Sequence, residues 1–98
     1  PPPRYDEVFF DGVAWLDHFR DGKPSTFTRI HTNEHFTLPI TRCHSGKFGL
    51  NFGAYIYQIE PSWYCQLFGG CSYDAGGDPL GPFAMRNEAI MAWVGQLQ

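Results

Sequence analysis

Charge is scarce in this chain. Charged residues make up 17% of its 98 residues, against about 25% in an ordinary soluble domain. Positive charge is scarcer still, with seven Lys and Arg against ten Asp and Glu and a formal net charge of −3 at pH 7. A nonspecific nucleic-acid binder needs a basic face, and a polybasic membrane anchor needs a run of Lys and Arg; neither is present. Cysteine is nearly absent: Cys43, Cys65 and Cys71 are the full set. An odd number without a C-x-x-C pair fits neither a disulfide framework nor a paired zinc knuckle. The three read as structural thiols of a reduced, cytoplasmic chain, with a Cys65–Cys71 link as the alternative. No apolar run approaches the ~20 residues that span a bilayer. Gly69-Gly70 and Gly76-Gly77 lack the spacing of a dinucleotide fingerprint or a P-loop, and no Lys-Ser or Lys-Thr follows them.

What the chain has instead is aromatic mass. Nine Phe, five Tyr and three Trp make 17% of it, within an apolar fraction of 43%. A chain of this length is one domain, and it buries roughly two-thirds of its unfolded surface. A core without metal or disulfide help is therefore within reach. The start, Pro1-Pro2-Pro3 without Met, reads as a trimmed or appended end, so residues 1–4 are expected to lie outside the folded unit.

Periodicity orders the remainder. Phe9, Val13, Leu16 and Phe19 recur at spacings of four, three and three, the apolar stripe of an amphipathic helix. Gly12 weakens it by about 1 kcal/mol relative to Ala, so the helix is expected near 13–20, with Val8-Phe9-Phe10 extended before it. Gly22 and Pro24 stop it. Residues 25–32 are rich in β-branched side chains and read as a strand, with a turn at Asn33-Glu34. Phe36, Leu38 and Ile40 alternate; Pro39 among them marks an edge strand or a solvent-facing outer side. Sheet continues through Phe48, Leu50, Phe52 and residues 55–60, with a bulge or bend expected at Gly49 and Gly53. After a break at Pro61-Ser62, Trp63 to Phe68 reads as a further strand. Residues 74–82 read as a loop, and a last helix is expected near 86–97, with Trp93 on its buried side. The expected fold is α+β: a single domain over 1–98, with an antiparallel sheet of three to five strands and an N-terminal and a C-terminal helix packed on one face.

The chemistry-bearing residues are few. Cys43-His44, His31, His35, Cys65 and Cys71 offer soft ligands or a Cys–His pair. Neighbours on a strand face opposite ways, so Cys43 and His44 are poorly placed to act together. No metal site, cofactor or catalytic residue is expected. Five of the ten acids fall in the first 21 residues: Asp6, Glu7, Asp11, Asp17 and Asp21, with Asp17 and Asp21 on one face of the expected helix. They form a strip suited to a basic partner surface. Tyr55, Tyr57 and Trp63 are amphipathic aromatics in strands, the residue types enriched at binding hot spots. These two sets are the candidate contact residues.

The stretch Gly81-Pro82-Phe83-Ala84-Met85-Arg86-Asn87-Glu88-Ala89-Ile90-Met91-Ala92-Trp93 resembles the end of small phage and plasmid proteins. In these a last strand reading Gly-Pro-Phe or Gly-Pro-Tyr precedes a short helix with Glu-Ala-Ile and a Trp. Restriction-alleviation proteins end this way, and several small anti-CRISPR proteins use a strand followed by such a helix. The restriction-alleviation family also carries paired C-x-x-C zinc knuckles, which this chain lacks. The resemblance implies a small mobile-element accessory protein acting in the cytoplasm of a bacterial host. The helix–strands–helix order also resembles the double-stranded RNA-binding domain, whose last helix begins with a lysine cluster; here Arg86 stands alone beside Glu88, and that chemistry is not carried over.

Together these features point to a noncatalytic protein-binding domain. Its most specific form is an inhibitor of a bacterial defence complex, itself nucleic-acid-binding and basic, with no direct nucleic-acid or membrane contact by this chain. The alternatives are a zinc-binding or Cys/His-dependent enzyme domain, and a single-stranded nucleic-acid binder that stacks bases on sheet aromatics.

Overall fold

Strand pairing organises the chain from its first described residue. A computed structural model describes residues 5–9, 14–17, 22–29, 34–45, 52–68 and 78–97. They form strands β1 (Tyr5–Phe9), β2 (Ala14–Asp17), β3 (Lys23–Arg29), β4 (Glu34–Ser45), β5 (Phe52–Ile59), β6 (Ser62–Phe68) and β7 (Leu80–Phe83), then helix α1 (Arg86–Gln96). All described pairings are antiparallel, in the order β1-β2-β4-β5-β6-β7, with β3 also on β4. The result is a small α+β domain with a sheet wider than the three to five strands expected.

The largest departure from expectation is at the N-terminus. Ala14–Asp17, inside the expected helix, is strand β2, with Leu16 opposite Cys43 and Trp15 opposite His44. Residues 11–13 and 18–21 lie outside the described set. Leu16 satisfies its need for burial by joining the core beneath α1 as a strand residue. Gly12, the weak point of the helical pattern, falls between two paired strands. Val8 and Phe9 are extended, as expected, within β1. With the first helix replaced by strands, α1 is the helix that covers the sheet among the described residues. It packs on β5, β6 and β7.

β4 is the backbone of the sheet. On one edge it carries β3 along Glu34–Ile40 and β2 along Cys43–Ser45; on the other, β5 pairs from Ile40 to Ser45. Residues 34–39 therefore project past the last β5 pairing. Pro39 sits in this overhang, exposed and opposite Pro24, a pair with no N–H to exchange across the ladder. β4 is not an edge strand, but Pro39 occupies the part of it with no described strand on its β5 side. This meets the rule that confines proline to open ladder positions. Edge strands carry edge-blunting residues as well: Lys23 and Pro24 in β3, Pro82 in β7.

Alternation splits the central strands into two faces. Toward α1, Leu16, Cys43, Ala54, Ile56 and Cys65 pack with Ala89, Ile90, Trp93, Val94 and Leu97, rimmed by Trp63, Leu67, Leu80 and Phe83. Trp93 is fully buried, as its place on the helical stripe requires. Met85 precedes α1 without a side-chain cap, while Glu88 in the first turn suits the helix dipole. The Gly81-Pro82-Phe83 segment, inside the expected 74–82 loop at its start, is strand β7, and it turns directly into α1. Gly81 has φ +128°, and a Cβ there would lie 2.8 Å from the Trp63 carbonyl oxygen, so β7 approaches β6 as only glycine allows.

Candidate interaction surface

The opposite sheet face is built from three cross-strand rows. Ile40, Tyr57 and Tyr64 form one; Arg42, Tyr55 and Gln66 the next; His44, Gly53 and Phe68 the third. Phe68 lies over the backbone of Gly53: a Cβ at Gly53 would sit 2.6 Å from the Phe68 ring and would also collide with the Cys43 carbonyl oxygen. The bend expected at Gly53 is thus a close approach of ring and backbone; Gly49 is outside the described residues. Phe68 stacks on Tyr55, with ring centres 4.7 Å apart, and meets His44 edge-on at 6.4 Å. Tyr57 stacks on Tyr64 at 5.7 Å.

Arg42 is set into these rings. Its guanidinium carbon is 5.4 Å from the centre of Tyr55 and 5.9 Å from that of Phe68, within cation–π range. Its Nη2 donates to the Tyr55 hydroxyl at 3.2 Å. A planar, weakly hydrated guanidinium suits a half-buried aromatic site better than an ammonium would. Sequence reasoning did not single out Arg42, Gln66 or Phe68, and it weighed His44 only as a metal ligand or a partner for Cys43. The signal was there in the i, i+2 spacing of Ile40, Arg42 and His44, which places them on one face of β4 opposite Cys43.

The expected aromatic contact set divides. Tyr55 and Tyr57 share a face, as alternation requires, but they are 2% and 1% exposed. They are core residues, which corrects the expectation of an open sheet face with these rings available to a partner or a base. Trp63 lies on the other face, half-buried against the core beneath α1. The three do not form one surface. The large apolar side chains exposed among the described residues are Ile59, Met85 and Met91, the last two 62% and 56% exposed.

The acidic set is partly gathered. Asp6 and Glu7 lie in β1, and Asp17 ends β2 opposite Tyr5, so pairing brings the backbones of these three positions together at one end of the sheet. The helix face expected to present Asp17 with Asp21 is replaced by strand at Asp17; Asp11 and Asp21 lie outside the described residues.

The thiol chemistry is clear for two of the three cysteines. Cys43 and Cys65 are in no disulfide and are buried on the α1 side, on the strands that flank β5. Burial pushes the Cys65 thiol up from 9.0 to about 12, opposite to what a nucleophile or metal ligand requires. Cys43 and its neighbour His44 face opposite sides of the sheet, as strand geometry dictates. Among the described residues no group of three or more His, Cys, Asp and Glu is placed to hold a metal ion. Cys71 and His31 lie outside them. No described helix is long and apolar enough to cross a membrane. Comparison with protein-family models, with curated proteins and with solved structures returned no match.

Proposed function

We propose that this chain is a noncatalytic protein-binding domain that meets a basic partner surface through its acidic β1–β2 end. The observation that carries the reading is that strand pairing brings the backbone of Asp6 and Glu7 on terminal strand β1 beside that of Asp17 on β2. Residues about ten positions apart in the chain become neighbours at one end of a sheet in a chain of net charge −3. Acidic residues gathered on adjoining strands suit steered association with an oppositely charged surface. The more specific form is an inhibitor of a bacterial defence complex, of the anti-CRISPR type, acting in the bacterial cytoplasm on a basic, nucleic-acid-binding assembly. It rests on the resemblance of residues 81–93 to the tails of small phage and plasmid proteins.

The competing chemistries fare less well. A Cys-dependent enzyme would need an accessible, ionisable thiol, and the two cysteines among the described residues, Cys43 and Cys65, are buried, with the Cys65 thiol held neutral. Base stacking would need open rings, and Tyr55 and Tyr57 are covered.

The test is a pair of charge reversals, Asp6→Lys with Glu7→Lys and, separately, Asp17→Lys, in a chain whose fold is checked by circular dichroism. The partner is captured from bacterial lysate and purified, and its binding kinetics are followed from low to high salt. Both reversals are expected to slow association roughly tenfold or more at low salt, within the range that electrostatic steering covers, with the difference shrinking as salt rises. An association rate that is insensitive to salt and to both reversals overturns the acidic-end reading.

A further inference from the structure

We draw no further inference here: the strongest candidate, the sheet face around Leu38 and Ile40 where the β3–β4 pair projects past the end of β5, is an apolar face, and nothing in the structure shows what covers it.

Discussion

Arg86, the first residue of α1, donates from Nη2 to the hydroxyl of Thr41 on β4 at 2.8 Å. Forty-five residues separate the two in sequence. The contact ties the start of the helix back across the sheet to β4. It also places the one basic residue of α1 at the end where the helix dipole disfavours it, so the contact with Thr41 helps to account for its position.

Thr41→Val is therefore expected to destabilise the fold by about 1.5–3 kcal/mol, the range for hydrogen bonds to a charged group. The hydroxyl is lost while side-chain shape is kept. A urea titration should show a lower midpoint with an unchanged slope. An unchanged midpoint would mean that the contact contributes nothing net.

Trp93 fills the space between α1 and β5–β6, and its indole N–H has no hydrogen-bond acceptor among the described residues. Trp93→Ala should cost about 3–5 kcal/mol, as large-to-small aromatic changes in a core do. Trp93→Phe should cost much less, since it keeps a ring and removes a buried donor without a partner. Met91→Ala, on the exposed side of the same helix, should stay within about 0.5 kcal/mol. Equal losses for Trp93→Ala and Met91→Ala in chemical denaturation would place the buried side of α1 wrongly.

Two glycines make opposite predictions for the same change. At Gly53 an added methyl would collide with the Cys43 carbonyl and the Phe68 ring, so Gly53→Ala should destabilise by about 1–3 kcal/mol through overpacking. At Gly95, in the last turn of α1, there is open space, and Gly95→Ala should stabilise by about 0.5–1 kcal/mol. Thermal unfolding of the two variants beside the parent reads both signs at once. A shift in the same direction for both would refute the environments assigned to these positions.

The Cys65 thiol should make the fold sensitive to alkali. It stays neutral in the folded chain up to about 12, whereas in the unfolded chain it ionises near 9.0. Its contribution is complete below pH 9 and is lost progressively as pH rises from there toward 12. Cys65→Ala should lose less stability than the parent between pH 8 and pH 10.5. Site-resolved alkylation followed by peptide mass measurement should find Cys43 and Cys65 protected in the native chain and labelled in urea. Rapid native labelling of Cys65 at pH 8 would contradict its burial.

The C-terminal part of the fold was legible because its signals are local. Ala89, Trp93 and Leu97 recur at helical spacing, and they mark the face that α1 buries. The break read at Pro61-Ser62 separates two alternating runs that pair as strands β5 and β6, although Ser62 itself belongs to β6. The Gly-Pro-Phe segment was legible as a strand through its resemblance to other tails, although its composition alone read as loop.

The N-terminal part was not legible, because its deciding contacts are distant in sequence. Spacings of four, three and three suit a helix, but Leu16 reaches the core through pairing with Cys43, on a strand that its own neighbours do not announce. The candidate site follows the same division. Alternation by itself determined that Tyr55 and Tyr57 share a face and that Cys43 and His44 do not, because a strand turns each successive side chain to the other side. Only the tertiary structure decided that Tyr55 and Tyr57 are covered, that Arg42 rests against Tyr55 and Phe68, and that the backbone positions of Asp6, Glu7 and Asp17 come together at one end of the sheet. Burial and pairing depend on segments far along the chain coming together, and the order of residues within any one strand does not encode which segment arrives.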